Sequence, residues 1–522
     1  MKTTKIFGPP GTGKTTALIK ILEDEIASGT KPDKIAYVTF SVSARQEALG
    51  RAMDKIPGAK EKEFKHFRTI HGICYNEIGM ISSCLMQVED YMKFAKYCPI
   101  EFSDNFTTDY DIDGLPFGYS TSPGNRILNI RQVASARDID PFSQECVESD
   151  WPKDMKRSEV EYVLKKYQAY KSDFGKYDFV DLLNIYRETG EAIDVDAAFI
   201  DEAQDLSRLQ WLLIGKMFSR CKRLYIAGDD DQSIYQFLGS DPFGFYDYNC
   251  DDKLVLSRSF RLPKNIWVAA NKIISQVKKR QPKEIDVNGP GGTINHWGVG
   301  ADTVLDRIPN DDVMVIASTN YQLADIRDKL RSNGISFNYN GSSLSDTRQA
   351  KDFYWYHKAR KGEPIPLKPA ASILRTVGIE GFRVLLDRAR EDPYETIPPD
   401  RLKEMGLKLT ANRTMCDYLA KKPNQVKMNQ TLYSMATKFG LESVIEKPKV
   451  NLTTYHGSKG KEAKRVILVT DCSPSAMEYN VKNPDYERRL AYVGITRAKE
   501  EVHICANQTE TYMRTIAGVR TQ

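Results

Sequence analysis

The sequence predicts an α/β protein whose parallel sheets carry helices on both faces, and three observations lead to this prediction. Short apolar runs rich in β-branched and aromatic residues recur along the chain, and helical patterns separate them. A glycine-rich segment, GPPGTGKT at residues 8–15, stands between a strand end and a helical run. Strands joined by helical crossovers form parallel sheets with both faces covered. The 522 residues allow about three or four domains of ~150 residues each.

The individual elements follow in chain order. Apolar residues 6–7 end the first predicted strand, residues 16–22 form a helix, and IAYVTF at 35–40 forms a second strand. A polar helix is expected over residues 44–55, and Ser158 to Glu161 is a predicted capping box that begins another helix. Further strands are expected at residues 197–200, 223–227, 313–317, 451–455, 466–470 and 502–506.

Composition excludes several classes of protein. The nine cysteines include no CxxC pair, which argues against zinc ribbons and disulfide frameworks and suits a reducing compartment. The chain has no run of 18 apolar residues, so no membrane span is expected. The N-terminal strand leaves no room for a signal peptide, and we expect the protein in the cytoplasm of a bacterium or a phage-infected bacterium. A net charge of +5 does not by itself indicate nucleic-acid binding.

The GxxxxGKT pattern of residues 8–15 predicts a site for a nucleoside triphosphate. Glycines let the loop bend so that N–H groups face phosphate oxygens, and the helix N-terminus adds partial positive charge. Lys14 would contact the β- and γ-phosphates, and the hydroxyl of Thr15 would ligate Mg²⁺. The predicted nucleotide contacts in this segment are Gly8, Pro9, Pro10, Gly11, Thr12, Gly13, Lys14, Thr15 and Thr16.

Two acidic strand ends supply the rest of a predicted hydrolytic site. Asp201 and Glu202 follow the apolar strand at 197–200, where the first carboxylate can hold Mg²⁺ and the second can deprotonate the attacking water. Gln232 ends the GDDDQ segment, and its neutral amide can hydrogen-bond a γ-phosphate without repelling it. An exposed acidic pair and a solvated aspartate loop are the alternatives for these segments.

These segments resemble, in order, motifs of the superfamily 1A DNA helicases of the UvrD/Rep/PcrA type. The resemblance rests first on GPPGTGKT, IDEAQD and GDDDQSIY. It continues with VTF at 38–40, TIH at 69–71, FVDL at 179–182, SRSFR at 257–261, TTYHGSKGKE at 453–462 and ERRLAYVGITRA at 487–498. The compact size is similar to that of phage-encoded members.

The resemblance implies two RecA-like motor domains, each interrupted by a mainly helical insertion. The first motor domain is expected at residues 1–84 and 176–250, and the second at 251–359 and 448–522. The insertions, at 85–175 and 360–447, match relatives in position only. The second insertion is rich in Lys, Arg and Pro and predicts short helices without a clear strand.

The resemblance also implies roles for residues in the later motifs. Arg261 and Arg497 correspond to two arginines that approach the γ-phosphate and stabilise the transition state of phosphoryl transfer. Phe260 stands where relatives stack a tyrosine on adenine, and Glu462 matches the residue expected at the ribose. Relatives read the adenine edge with a glutamine-bearing segment upstream of the phosphate loop. Only seven residues precede Gly8, so selectivity for ATP is left open.

Single-stranded DNA is the expected track of the motor, because aromatic rings stack on bases and donors bind phosphates. The residues that the resemblance assigns to this track are Phe40, His71, Tyr235, Phe237, Arg258 and His456. A position in the apolar core is the alternative for each aromatic residue. Phe237 replaces a tryptophan that is common in relatives.

The sequence thus predicts an ATP- and Mg²⁺-dependent DNA helicase that moves along single strands, in the 3′-to-5′ direction by resemblance. A monomeric motor is expected at junctions of single and double strands, with unidentified replication or repair partners and no membrane contact. One alternative is a translocase that displaces bound proteins without processive unwinding. Another is an ATP-switched loader or scaffold without enzymatic activity. The water activator Glu202 and the arginine pair favour turnover, because a switch needs neither.

Overall fold

The computed structural model describes residues 1–39, 42–55, 58, 60–102, 122–151, 154–289, 291–309, 311–409 and 423–519. Contacts within the chain divide it into two compact units. Unit 1 comprises Met1–Trp267, Asn271–Gly289 and Arg488–Tyr492, and unit 2 comprises Val268–Ala270, Pro290–Glu487 and Val493–Gln522. No described helix is both long enough and apolar enough to cross a bilayer.

Unit 1 is built around a parallel sheet. Among the described residues its six strands are β1 (Lys2–Phe7), β2 (Ile35–Thr39), β3 (His66–Thr69), β4 (Ala197–Ile200), β5 (Arg223–Gly228) and β6 (Asp252–Val255). Their order across the sheet is β3-β2-β4-β5-β1-β6, and every neighbouring pair is parallel. The carboxyl ends of β1, β4 and β5 therefore lie at one edge of the sheet. The predicted α/β class with parallel sheets is confirmed.

Alternate residues of these strands face two apolar cores. The helices described up to residue 274 are α1 (Lys14–Ala27), α2 (Val42–Lys55), α3 (Ile70–Ile78), α4 (Val88–Lys96), α5 (Pro123–Ala136), α6 (Gln144–Asp150), α7 (Arg157–Asp173), α8 (Phe179–Thr189), α9 (Arg208–Met217), α10 (Gly244–Asp247) and α11 (Lys264–Ile274). Ile6 and Tyr37 pack in one core with α1, whereas Phe7 and Val38 pack in the other with α8 and α9. Burial on both faces explains why the inner strands β2 and β4 are almost entirely apolar.

Helices α4 to α7 form an apolar core of their own in the first predicted insertion. The predicted capping box at Ser158 is wrong in register, because α7 begins at Arg157 and Lys156 occupies the N-cap position. The carboxylate of Glu159 accepts from the backbone N–H of Lys156 at 3.3 Å. Glu159 thus caps the first turn of the helix, but its partner at the N-cap position is Lys156 and not Ser158.

Residues after 250 continue the first sheet. Strand β6 pairs with β1 from Thr4 opposite Asp252 to Phe7 opposite Val255, although the sequence predicts the end of the first motor domain at residue 250. Strand β7 (Arg258–Pro263) then pairs in parallel with β8 (Asp286–Gly289), and both lie in unit 1. The segment that carries the SRSFR motif therefore lies in unit 1, as the phosphate-loop strand β1 does.

Unit 2 contains a second, mainly parallel sheet. Its seven described strands are β9 (Thr293–Trp297), β10 (Val313–Ala317), β11 (Phe337–Tyr339), β12 (Ser342–Ser343), β15 (Val450–Thr454), β16 (Ala463–Leu468) and β17 (Ala498–Cys505). Their order is β12-β11-β15-β10-β16-β17-β9, and only the β11–β12 pair is antiparallel among these described strands. Helices α12 (Ala301–Arg307) and α13 (Ala324–Ser332) contribute to its apolar core.

The second predicted insertion is largely helical in the part that the structure describes. Helix α14 (Arg348–Arg360) leads up to its predicted start at residue 360 and shares its apolar core. The described helices within it are α15 (Leu367–Val377), α16 (Phe382–Glu391), α17 (Pro399–Glu404) and α18 (Pro423–Phe439). A short antiparallel pair, β13 (Ile365–Pro366) and β14 (Thr396–Ile397), corrects the prediction of no strand here. The remaining described helices are α19 (Pro474–Lys482), α20 (Pro484–Ile495) and α21 (Arg514–Ala517).

Candidate nucleotide site and nucleic-acid contacts

The phosphate-loop candidate, residues 8–15, connects the end of β1 to the start of α1. Gly11 and Gly13 have φ angles of 76° and 78°, which bend the loop in a region where a side chain would be strained. Lys14 is buried, and its ammonium group donates to the carbonyl oxygen of Gly8 at 2.8 Å. The lysine that would bind phosphates is therefore folded back over its own loop.

Thr15 and Asp201 lie side by side at the carboxyl edge of the unit 1 sheet. The hydroxyl of Thr15 donates to Oδ2 of Asp201 at 2.9 Å, and the hydroxyl of Tyr37 donates to the same oxygen at 3.1 Å. Burial of Asp201, together with the charge of Glu202, raises the pKa of Asp201 to about 6. A hydroxyl and a carboxylate are oxygen ligands that suit Mg²⁺, so these two residues fit the ion.

Glu202 adopts a rare backbone conformation beside a buried glutamine. Its φ of 53° lies in the left-handed region, which residues other than glycine seldom occupy. Gln204 donates from Nε2 to the carboxylate of Glu202 at 2.6 Å and accepts from the backbone N–H of Asp229 at 2.9 Å. The candidate water activator is thus connected to the end of β5. Gln204 was not predicted from the sequence, although it stands two residues after Glu202 in IDEAQD.

Gln232 is also buried in unit 1 and is tied to the same strand end. Its Nε2 donates to Oδ2 of Asp229 at 2.7 Å, and its backbone N–H donates to the carbonyl oxygen of Asp229 at 2.8 Å. Asp229 therefore donates a hydrogen bond to Gln204 and accepts hydrogen bonds from Gln232. The two candidate contacts for the water and the γ-phosphate share one anchoring residue.

The three aspartates at 229–231 are buried and paired with cations, which contradicts the alternative of a solvated loop. Lys283 contacts all three carboxylates, and Arg280 makes two hydrogen bonds of 2.7 and 2.6 Å to Asp231. Burial lowers the pKa of Lys283, but the three carboxylates outweigh this effect and raise it above the ordinary value. Lys283 and Arg280 were not predicted from the sequence, because a basic run about 50 residues downstream of the motif carries no local signal.

Strand β7 approaches the phosphate loop within unit 1. The hydroxyl of Ser259 donates to the carbonyl oxygen of Pro10 at 3.1 Å, and the backbone N–H of Phe260 donates to that of Gly11 at 3.0 Å. The Phe260 side chain is 74% exposed, and the guanidinium of Arg258 lies 5.3 Å from its ring centre. An exposed ring anchored beside the phosphate loop suits stacking on a nucleobase.

The two predicted catalytic arginines have different surroundings. Arg261 is half-buried, and its Cβ lies 2.6 Å from the point that a Cβ on Gly11 would occupy. Arg497, in unit 2, is 2% exposed. Its Nε donates to the carbonyl oxygen of Val493 at 3.0 Å, and its Nη2 donates to the hydroxyl of Thr496 at 3.1 Å. These bonds within α20 and its C-terminal end fix the guanidinium of Arg497.

Predicted track residues of unit 1 are partly brought together. His71 and Tyr235 are buried and line a cavity of about 60 Å³, which Phe179 also lines. The rings of His71 and Phe179 meet edge to face with centres 5.4 Å apart. Phe237 is half-buried, and its ring centre is 6.4 Å from that of Tyr235. Phe40 lies outside the described residues.

The remaining predicted contacts lie in unit 2. His456 is half-buried, and its Nε2 is 2.8 Å from the hydroxyl of Tyr486, with the two rings stacked at 6.4 Å. Glu462 forms an ion pair with Lys499. His456 and Glu462, which both belong to the TTYHGSKGKE segment, thus have protein partners in the described part of unit 2.

Two family models match the chain. The UvrD/REP helicase N-terminal domain matches residues 1–251, and the UvrD-like helicase C-terminal domain matches residues 413–509. The chain belongs to the UvrD/Rep helicase family. The N-terminal match contains the phosphate loop, both acidic strand ends and Gln232, and the C-terminal match contains Arg497.

Curated relatives of this UvrD/Rep-family chain carry the name ATP-dependent DNA helicase PcrA. The Bacillus subtilis (strain 168) protein is 26% identical over 414 residues, which cover 61% of this chain and 55% of the relative. A Staphylococcus aureus (strain NCTC 8325 / PS 47) protein is 24% identical over 317 residues, covering 57% and 42%. A Staphylococcus epidermidis (strain ATCC 12228 / FDA PCI 1200) protein is 30% identical over 146 residues, covering 26% and 20%. The chain thus matches about half or less of the length of these relatives.

The crowding around Gly11 generates a first prediction. Gly11→Ala would place a Cβ 2.6 Å from Cβ of Arg261 and 3.0 Å from the hydroxyl of Ser259, at a φ that already strains alanine. We expect it to lose about 1–3 kcal/mol of unfolding free energy beyond the loss in Gly13→Ala. Gly13 is the matched control, because it has a similar φ but its nearest neighbour would be 3.7 Å away. Denaturant unfolding without nucleotide gives both values, and equal losses would contradict the close packing of β7 on the loop.

Proposed function

We propose that this UvrD/Rep-family chain is an ATP-driven DNA motor that moves 3′-to-5′ along single strands and unwinds duplexes. The proposed setting is the cytoplasm of a bacterium or a phage-infected bacterium. The observation that supports the motor chemistry most is a continuous hydrogen-bonded connection in unit 1. It runs from Thr15 to Asp201, from the carboxylate of Asp201 to the backbone N–H of Glu202 at 2.9 Å, and through Gln204 to Asp229 and Gln232.

The proposed chemistry divides the work of hydrolysis among these residues. Glu202 accepts the proton of the attacking water, and Gln232 hydrogen-bonds the γ-phosphate as a neutral donor. Lys14 leaves the carbonyl of Gly8 to bind the β- and γ-phosphates. Mg²⁺ held by Thr15 and Asp201 would neutralise charge on the phosphate oxygens.

The later motifs supply the proposed transition-state and base contacts. Arg261 and Arg497 are proposed to stabilise charge on the transferred phosphoryl group, as the family resemblance implies. Phe260 is proposed to stack on the base, since its ring is exposed beside the phosphate loop. Glu462 is the proposed ribose contact.

Single-stranded DNA is the proposed track. His71, Tyr235 and Phe237 are its candidates in unit 1, and the proximity of the last two rings supports a shared surface. Arg258 is the proposed phosphate contact beside Phe260, and His456 is the proposed contact in unit 2. Phe40 stays a prediction from the family motif.

Strand displacement tests the proposed function directly. We expect duplexes with a 3′ single-stranded tail to be unwound with ATP and Mg²⁺, and blunt or 5′-tailed duplexes to stay paired. ATP hydrolysis stimulated by single strands, without unwinding of any duplex but with release of a bound protein, would favour the translocase instead. Nucleotide binding without hydrolysis would favour the loader or scaffold.

The role of Glu202 generates a second prediction. Glu202→Gln keeps the size of the side chain and removes the base, so ATP binding should persist while DNA-stimulated turnover falls by about 10²-fold or more. Glu188→Gln, an exposed change on α8, is the matched control and should leave both unchanged. Steady-state ATPase rates and nucleotide titrations measure the pair. Turnover within a few-fold of the wild type would remove Glu202 from the base role.

Phe237 generates a third prediction, because its half-buried ring fits either a base contact or a core position. If Phe237 stacks on a base, Phe237→Ala should weaken single-strand binding by roughly 1–3 kcal/mol, and Phe237→Trp should preserve or strengthen it. A core position predicts instead a loss of ~3–5 kcal/mol of stability in the alanine variant and overpacking in the tryptophan variant. DNA affinity and melting temperature of both variants separate the cases. Unchanged affinity with a lowered melting temperature would take Phe237 off the track.

A further inference from the structure

One buried ammonium group beside the candidate γ-phosphate contact has no part in the mechanism above. Nζ of Lys283 lies 2.8 Å from Oδ1 of Asp229, 2.5 Å from Oδ1 of Asp230 and 2.7 Å from Oδ2 of Asp231. Its side chain has no exposed area. The three carboxylates are close enough together to bind a metal ion, but the lysine already supplies their cation.

The segment around Lys283 holds the aspartates from a second side. Arg280 forms a two-bond ion pair with Asp231, and the backbone N–H of Gln281 donates to the carboxylate of Asp230 at 2.6 Å. The guanidinium of Arg489, also within unit 1, donates to the carbonyl oxygen of Asp230 at 3.1 Å. Residues 229–231 are therefore fixed through both side chains and backbone.

Asp229 connects Lys283 to the candidate catalytic groups through hydrogen bonds. One of its carboxylate oxygens contacts Lys283, and the other accepts the hydrogen bond from Gln232. Its backbone N–H donates to Gln204, which in turn donates to Glu202. Asp229 is thus the single link between Lys283 and Gln232. Asp229 and Gln204 together link Lys283 to Glu202.

We infer that Lys283 is a positioning residue of the ATP site, which orients Gln232 through Asp229 and screens the γ-phosphate from the three aspartates. The inference rests on the proposed contact between Gln232 and the γ-phosphate. Lys283 and Arg280 leave one formal negative charge on the cluster, and loss of Lys283 leaves two. Because the γ-phosphate adds negative charge that ADP lacks, this extra charge weakens the binding of ATP more than that of ADP.

The test compares nucleotide preference in Lys283→Met and Lys171→Met. Lys171 is the matched control, because it is another buried lysine of unit 1, paired with Asp178 at 3.0 Å and with Asp181. Calorimetric titration with Mg²⁺ and either ADP or a non-hydrolysable ATP analogue gives the preference. We expect Lys283→Met to lose about tenfold or more in affinity for the analogue and less than about threefold for ADP. Both variants should lose stability, because each leaves buried carboxylates without their cation. An unchanged preference in Lys283→Met would overturn the inference.

A second substitution, Asp230→Asn, changes the charge of the cluster in the opposite direction. Asp230→Asn added to Lys283→Met restores the net charge of the cluster and should recover most of the preference for the analogue. Asp230→Asn alone removes one negative charge and should raise that preference above the wild type, so it decides the case if Lys283→Met does not fold. A lowered or unchanged preference in Asp230→Asn would refute the screening role. If the wild type binds both nucleotides but does not hydrolyse ATP on DNA, the proposed function is refuted. The role of Lys283 in the preference for the ATP analogue over ADP is still tested by the titrations.

Discussion

Parallel pairing of β5 with both β1 and β4 is the constraint on which the candidate site of unit 1 depends. The register sets Phe7 beside Gly228, and Ile200 beside Ile226, so three strands end at one edge of the sheet. The segments that follow them, residues 8–15, 201–204 and 229–232, are far apart in sequence but joined by hydrogen bonds. A slip of one residue would exchange the faces of each strand and would bring Phe7 into the core that Ile6 now occupies.

Two buried acidic groups at this edge have opposite electrostatic surroundings. Asp229 is desolvated, but the ammonium of Lys283 at 2.8 Å overcomes this and lowers its pKa. Asp201 is also buried, has the hydroxyl groups of Thr15 and Tyr37 as neighbours, and has a raised pKa. A carboxylate whose ionised form is costly gains more from a cation than one that already has a partner. This contrast makes Asp201, and not the aspartate cluster, the better candidate for Mg²⁺, and binding there would release a proton below about pH 6.

The sequence predicts local features well and long-range partners poorly. Strands β4 and β10 have the predicted bounds, because buried strands are continuous apolar runs bounded by polar residues. Strand β6 was not predicted, since it lies at a sheet edge and three of its four residues are exposed. The capping box was predicted around Ser158, but the helix begins at Arg157 and Lys156 is its N-cap. Lys283 was missed because nothing in a basic run shows that it is buried against carboxylates 50 residues away.

The anchoring of residues 229–231 also bears on which residues respond when a nucleotide contacts Gln232. Lys283, Arg280 and Arg489 hold residues 229–231 of the GDDDQSIY segment, and Gln232, the next residue, hydrogen-bonds Asp229. A segment fixed at one end transmits a displacement toward the other. If the γ-phosphate moves Gln232, the residues that follow it, Tyr235 and Phe237, are the ones that respond. The segment thus joins the proposed ATP contact to the proposed DNA contact over a few residues. In the proposed motor, this short path couples the γ-phosphate contact to the DNA contacts through residues 232–237.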